Sequence, residues 1–166
     1  MNIEPTPKSI LSRSKLRSAH LTQLQTLRPT HALTLAYNDT VTIDRLRRDL
    51  RAFHAHLDRA LFGRRFCTLP CERRTAFFAV PENVMTNTHV HMLMRVAEDR
   101  TAEFEATVPN DRSQFWARWA PRGTHRLMPL YDEDGWAKYC LKLMSLDGVW
   151  FDSIEFLSDT AFNRAA

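Results

Sequence analysis

The sequence predicts an α+β protein with a central antiparallel sheet of four to five strands and helices packed on it. Three observations carry this prediction. Short apolar runs bounded by turn residues indicate strands, and longer runs with apolar residues three and four positions apart indicate amphipathic helices. The chain has 166 residues, of which 44% are hydrophobic, so it is long enough for one domain with an apolar core.

The first half of the chain is expected to contain a leading segment, a strand and a long helix. Residues 1–30 are basic and mix Pro, Ser and Thr with an amphipathic stretch, which predicts a loose arm or a leading helix. Residues 31–37 alternate as a strand does. Thr42 is a suitable N-cap for a helix that ends at Gly63. The apolar residues of this helix recur at three-and-four spacing, at Ile43, Leu46, Leu50, Phe53, Leu57 and Leu61.

A β-hairpin and a helical region are expected next. Residues 75–80 and 88–96 read as two antiparallel strands, with 82–87 as the turn between them. Residues 101–119 are rich in Phe and Trp and predict a helix, broken around Pro109, that covers one face of the sheet.

The last part of the chain is expected to add an edge strand and a second clear helix. Residues 125–131 predict the edge strand, and residues 135–146, which follow a run of acidic side chains, predict the helix. Residues 149–157 are expected to add a strand or to pack as coil. The order of elements is typical of a ferredoxin-like plan, with the helices gathered on one side of the sheet.

Composition favours a soluble, cytoplasmic protein with no membrane partner. No run approaches the roughly 18 apolar residues that span a bilayer, and the start of the chain lacks the apolar stretch of a signal peptide. The three cysteines are odd in number and irregularly spaced, which argues against a disulfide framework. Cys67 and Cys71 could join a histidine at a zinc ion, but there is no second cysteine pair to complete a structural site.

Positive charge is concentrated in the first half of a chain whose net charge is +4. Residues 1–74 contain 14 Lys and Arg against 6 Asp and Glu, and the remainder is net acidic. Arginines on and just after the long helix favour a polyanionic partner such as nucleic acid. The alternative is a solvated helix surface. The candidate nucleic-acid contacts are Arg45, Arg48, Arg51, Arg64 and Arg65.

Two histidines one residue apart, His89 and His91, are the most informative feature of the sequence. Successive side chains of a strand point to opposite faces, so both imidazoles leave one face while Val90 packs on the other. Two such imidazoles can bind one divalent metal if a third ligand converges on it. The alternative is an exposed strand face that carries histidines by chance. His54 and His56 have the same spacing on a helix, where they diverge by about 200° and are expected to lie on the surface.

The third metal ligand is expected from a neighbouring strand or turn. Glu82 lies at the end of the preceding strand, seven positions before His89, and the hairpin brings the two together. Glu72 is a weaker alternative and Glu98 the weakest. A carboxylate with two imidazoles suits Mg²⁺ or Mn²⁺ with open positions for a phosphate oxygen.

Tyr139 and Lys142 lie three residues apart and share one face of the last long helix. A phenol is a competent nucleophile toward phosphorus when it is deprotonated or when the phosphate is polarised. A nearby ammonium can favour the phenolate and hold a DNA backbone. The alternative is a tyrosine at the boundary of the core beside a solvated lysine.

Taken in order, these motifs resemble the HUH endonucleases, specifically the rolling-circle replication initiators of plasmids and single-stranded phages. The set consists of the strand LTLAY, the histidine strand THVHMLM and the helix segment YCLK, and it spans roughly residues 31–145. The resemblance implies a ferredoxin-like or RNA-recognition-motif-like sheet. Residues 31–166 would form the nicking domain, preceded by a basic segment at 1–30.

The resemblance also implies a mechanism. His89 and His91 would bind Mg²⁺ or Mn²⁺, and Glu82 would match the carboxylate that the preceding strand often contributes. Tyr139 would attack a phosphate of single-stranded or hairpin DNA at an origin, leaving a 5′-phosphotyrosine and a free 3′-hydroxyl, with Lys142 assisting. A single tyrosine on this helix implies a one-tyrosine mechanism, whereas some phage initiators use two. Without the helicase domain of viral relatives, unwinding is expected from a host helicase or from supercoiling, and a host helicase and polymerase are the expected partners.

Other functions remain open within the same resemblance. Relaxases and single-strand transposases share the histidine triplet, and a regulator of the same fold could bind nucleic acid without cutting it. Tyr131 is the next candidate nucleophile if Tyr139 is not the one. Trp116, Trp119 and Trp136 could stack on bases, although burial in the core is the commoner fate of tryptophan.

Overall fold

The computed structural model describes residues 13–84, 86–110, 115–132, 135–140, 142 and 149–157. The strands are β1 (His31–Ala36), β2 (Ala76–Glu82), β3 (His89–Arg95), β4 (Thr124–Pro129) and β5 (Phe151–Asp152). They form one sheet in the order β4-β1-β3-β2-β5, and every neighbouring pair is antiparallel. The predicted α+β class with a central antiparallel sheet is confirmed.

The helices are α1 (Arg13–Leu27), α2 (Ile43–Phe62), α3 (Thr101–Thr107), α4 (residues 135–140 and 142) and α5 (Ser153–Leu157). From β1 to β4, the element order and the strand order β4-β1-β3-β2 give the split β-α-β arrangement of ferredoxin-like folds. The segment 149–157, for which a strand or coil was expected, supplies both β5 and α5. Within the described part of the chain, no helix is both long and apolar enough to cross a membrane.

One face of the sheet packs against α2 and α3. Strand residues such as Leu33 and Met92 share a single core with helix residues such as Leu50 and Phe104. The predicted ends of α2 are confirmed. Thr42 accepts a hydrogen bond at its Oγ1 from the backbone N–H three residues on, at 3.2 Å, and Gly63 ends the helix with a φ of 76°.

The opposite face of the sheet is covered in part by α1 and α4. Leu24 of α1 and Cys140 of α4 are buried in a second apolar cluster with Ala32, Phe78 and Leu93 of the strands. The expectation that all helices gather on one side is therefore wrong. The strands carry apolar side chains on this face as well, and burying them requires a second layer of helices.

The helix expected over residues 101–119 is shorter than predicted. It ends at Thr107, and a 3₁₀ turn lies further on at Trp116–Arg118. Between them, Asn110 binds the outer edge of β4. Its side chain donates to the carbonyl of Leu127 at 2.5 Å and accepts from the N–H of the same residue at 2.6 Å. The connection therefore protects an edge strand that would otherwise expose these backbone groups.

A buried polar network corrects the prediction that His54 and His56 both lie on the helix surface. His56 is half-buried, but His54 is 1% exposed because it flanks the apolar stripe of α2. Its Nε2 lies 3.0 Å from the carbonyl oxygen of Thr75, so this nitrogen carries the proton. Burial lowers the pKa of His54. The neighbouring Asp58 is fully buried and pairs with Arg74 at 2.8 Å, linking α2 to the start of β2.

Gly123 is packed so closely that we expect Gly123→Ala to destabilise the fold by roughly 1–3 kcal/mol, as for an overpacked core. A Cβ there would lie 2.5 Å from the Cβ of Ala120, 2.6 Å from Cδ1 of Trp116 and 2.7 Å from the carbonyl oxygen of Ala36. That same oxygen accepts a hydrogen bond from Nε1 of the fully buried Trp116 at 3.0 Å. Urea denaturation measures the loss, and an unchanged midpoint would show that this corner can relax.

Candidate active site

Strand register brings three of the predicted site residues to one end of the sheet. β2 and β3 pair so that Glu82 lies opposite His89 and Val80 lies opposite His91. Cross-strand partners share a face, so Glu82, His89 and His91 all lie on the face that α1 and α4 cover in part. Val90, between the histidines, is fully buried on the α2 side. The alternation predicted for the histidine strand is therefore present.

His91 is held through both of its ring nitrogens. Its Nε2 lies 3.0 Å from Oε2 of Glu82, and its Nδ1 lies 3.4 Å from Oγ1 of Thr34, its partner in β1. A carboxylate only accepts hydrogen bonds, so in the neutral ring Nε2 carries the proton and Thr34 donates to Nδ1. A hydroxyl can also accept, so Thr34 could hold the ring equally well with the proton on Nδ1 and Nε2 free to bind a cation.

α4 brings Tyr139 to the same place. Cys140 is buried in the apolar cluster of this face, which anchors α4 and leaves Tyr139 at its border, 39% exposed. The ring of Tyr139 meets the ring of His91 edge-on, with centroids 5.2 Å apart. Trp136, one turn earlier on α4, packs edge-on against Tyr139 at 5.9 Å. Residues 139 and 91 were predicted from separate motifs, and the fold places them in contact.

The pKa of Tyr139 is raised above its usual value, first by partial burial and then by the negative charge of Glu82. A lysine that stabilised the phenolate, as expected of Lys142, would lower it instead. Lys142 is exposed on α4, three residues after Tyr139. The phenol is therefore held in its protonated form unless a further positive charge enters the site.

The predicted metal ligands offer two imidazoles and one carboxylate, a donor set suited to a divalent ion with open positions. Glu82 and His91 are in contact, and His89 lies opposite Glu82 in the register. Among the residues that the structure describes, no three ligating side chains converge on one point. The types of these side chains fit a divalent ion. Their positions in the structure bring Glu82 and His91 into contact with each other.

The two weaker candidates for the third ligand lie at the other end of the sheet. Glu72 precedes β2 near Ala76, which pairs with Arg95, and Glu98 follows β3 beyond that same arginine. At about 3.3 Å per residue, Arg95 lies roughly 13 Å along the strand from His91. Neither carboxylate can share an ion with the histidines, and Glu82 is the acidic residue that the fold selects.

The candidate nucleic-acid arginines are not part of this site. α2 packs on the opposite face of the sheet, so the arginines on its outer surface face away from Tyr139. Arg45 donates to the carbonyl of Trp119 at 3.2 Å and pairs with Asp49 at 3.5 Å. The others are exposed on α2 or just after Gly63, at Arg48, Arg51, Arg64 and Arg65. Their contact with nucleic acid stays a prediction, and it would concern a second surface.

Two residues of the site were missed from the sequence. Thr34 supports His91, and Arg126 of β4 lies beside Thr34 in the same row across the sheet. The alternation of residues 31–37 marks Thr34 as a polar position in a strand. Arg126 could be found only once β4 was known to pair with β1, because nothing local distinguishes it from other exposed arginines.

The predicted cysteine pair and the comparisons with known proteins add no further residue to the site and identify no family. Cys67 is half-buried, Cys71 is exposed and both are free thiols. No protein-family model, curated protein or solved structure matches this chain. The candidate site therefore rests on the chain's own geometry.

Proposed function

We propose that this chain is a metal-dependent single-stranded DNA nickase and ligase of the HUH endonuclease type, acting as a rolling-circle replication initiator of a plasmid or phage. One observation carries the proposal. The phenol of Tyr139 contacts His91, which is itself paired with Glu82. A candidate nucleophile, an imidazole and a carboxylate from three separate elements thus meet at a partly open surface, a combination that covalent catalysis can use.

In this proposal each residue has a separate task. Tyr139 attacks the phosphorus through its Oη and loses its proton to water, while the departing 3′-oxygen takes up a proton; the products are a 5′-phosphotyrosine and a free 3′-hydroxyl. His91 and Glu82, with His89, would hold Mg²⁺ or Mn²⁺, which supplies Lewis-acid polarisation of the phosphate. Thr34 orients His91. Lys142 is assigned to the DNA backbone on the same face of α4.

A bound cation would change the charge balance at Tyr139. Burial, and then the negative charge of Glu82, raise the pKa of the phenol, so a protein without a bound cation keeps its nucleophile protonated. Neutralising Glu82 would remove one of the contributions that raise this pKa. The proposed partners are single-stranded or hairpin DNA at an origin, with a host helicase and polymerase.

The first test is the formation of a covalent adduct. The protein is incubated with single-stranded and hairpin oligonucleotides in the presence of Mn²⁺ and run on a denaturing gel. We expect a shifted protein–DNA band with Mn²⁺, and none when EDTA is added first. Binding of DNA without an adduct, across a library of oligonucleotides and with either metal, would contradict the enzymatic proposal.

A non-catalytic nucleic-acid-binding regulator is the second candidate, and the state of Tyr139 favours it. The pKa of Tyr139 is raised, first by partial burial, and a protonated phenol is a weak nucleophile. The same experiment separates the two functions, since a regulator binds DNA and forms no adduct. Relaxases and single-strand transposases share the proposed chemistry and differ in the DNA they cut, so the sequence of the preferred oligonucleotide distinguishes them.

A further inference from the structure

A groove of about 690 Å³ runs beside β4, and Tyr131 and Trp136 lie in its wall. Tyr131 is 91% exposed, more than the other large hydrophobic side chains that the structure describes as exposed. Exposed aromatic side chains in a groove are typical of surfaces that bind a flat ligand, because a ring face recovers its apolar contact only when something stacks on it.

The groove and the candidate nucleophile share one neighbouring side chain, Trp136. Trp136 lines the groove and also packs against Tyr139, with ring centroids 5.9 Å apart. A ligand resting on Trp136 would therefore lie one side chain away from Tyr139. This is the spacing expected of a neighbour of the group that reacts there.

One cation of the groove is placed to bind an anionic group of a ligand. Arg126 lines it and is exposed, and it lies in the same row of the sheet as Thr34 and His91. Asp132 also lines the groove, but its carboxylate accepts a hydrogen bond from the backbone N–H of Gly135 at 2.8 Å, at the start of α4, where a negative charge is favourable. Arg126 is thus the charge placed to bind a phosphate.

The edge of β4 argues against a peptide ligand added as an extra strand. Such a ligand needs unpaired backbone groups on the edge strand. Asn110 already binds both the N–H and the carbonyl of Leu127, and Pro129 has no N–H to donate. Recognition in this groove therefore has to use side chains.

We infer that this groove binds a nucleobase of single-stranded DNA next to the phosphate presented to Tyr139, stacked on Tyr131 and Trp136, with Arg126 on the backbone. The inference rests on the proposed function for its substrate class. It adds the surface that binds the single-stranded DNA next to the phosphate attacked by Tyr139.

The test is a binding measurement made in EDTA, so that no cleavage intervenes. Fluorescence anisotropy of a labelled single-stranded oligonucleotide is compared for the full chain, Tyr131→Ala and Tyr131→Phe. Loss of one stacked base is worth 1–3 kcal/mol, so Tyr131→Ala should weaken affinity roughly 5- to 150-fold at 1.4 kcal/mol per tenfold, and Tyr131→Phe should keep it. Ile154→Ala is the matched control, because it removes an exposed apolar side chain elsewhere.

Two further measurements keep this inference separable from the proposed function. Arg126→Gln should reduce the dependence of affinity on salt by about one phosphate contact. If Tyr131→Ala binds single strands as tightly as Ile154→Ala does while the unaltered protein still forms the adduct, the groove assignment is wrong and the nickase stands. If no adduct forms with any DNA but Tyr131→Ala still loses affinity, the groove stands and the nickase fails.

Discussion

Tyr139→Phe should abolish the covalent protein–DNA adduct while leaving DNA affinity nearly unchanged. The substitution removes only the hydroxyl that attacks phosphorus, and the ring keeps its contacts with His91 and Trp136. Loss of a nucleophile in covalent catalysis costs on the order of 10³-fold or more in rate, so the adduct should disappear from a denaturing gel. Anisotropy on the same samples should show binding within about twofold of the unaltered protein.

The other tyrosines provide the controls for this experiment. The chain has three tyrosines. Tyr37 is 2% exposed in the core on the α2 side and donates a hydrogen bond to Asp49 at 3.0 Å, so it cannot reach DNA. Tyr131→Phe should keep the adduct. An adduct that survives Tyr139→Phe and disappears in Tyr131→Phe would move the nucleophile to the neighbouring groove.

The second large effect concerns stability. Asp58→Ala should lower the free energy of unfolding by about 3–5 kcal/mol, the usual cost of leaving one partner of a buried ion pair alone. Asp58 is fully buried and accepts three hydrogen bonds, from Nε of Arg74 at 2.8 Å and from N and Oγ1 of Thr75 at 3.1 and 2.6 Å. Without it, the buried guanidinium of Arg74 loses this counter-charge. Urea denaturation followed by circular dichroism measures the change.

A double substitution separates the contribution of the ion pair to stability from the contribution of the other hydrogen bonds of Asp58. Asp58→Ala with Arg74→Met removes both charges and should recover a large part of the lost stability, because an apolar replacement leaves no buried charge unpaired. A double variant as unstable as the single one would show that the hydrogen bonds to Thr75 carry the effect. A single variant that loses less than about 1 kcal/mol would contradict the prediction.

Local patterns predicted the elements that depend on local physics. The apolar spacing and the caps of α2 gave a helix within a residue of the observed one, and the alternation around Val90 placed both histidines on one face. Glu82 followed from the hairpin, because antiparallel pairing across a short turn leaves little freedom. These predictions needed no knowledge of how distant parts of the chain meet.

Features decided by tertiary packing were not predictable in this way. Whether a helix covers one face of a sheet or the other depends on the handedness of its connections and not on its own sequence. The arginines of α2 were therefore grouped with the DNA chemistry although they lie on the opposite face. His54 is polar and was assigned to solvent, but Thr75 and Asp58, which lie 21 and 4 residues further on, give it a buried place.

The contact between Tyr139 and His91 lies between these two cases. Each residue was selected by its own motif, and only the return of α4 across the sheet, anchored by Cys140, brings them together. Thr34 and Arg126 also could not be predicted from local sequence alone. Their importance comes from a position in a row of the sheet, which no single segment reveals.

The alternation of β3 has a consequence for how the length of this chain can vary. Inserting or deleting one residue within the strand would turn His89 and His91 toward the α2 core and send Val90 and Met92 toward Tyr139. The core residues and the site residues of β3 therefore depend on the same alternation along the strand. A shift of the strand by one residue would displace both sets at once. We therefore expect changes in length to be tolerated in the turn before Thr88, where Asn83, with a φ of 55°, already reverses the chain without belonging to either face.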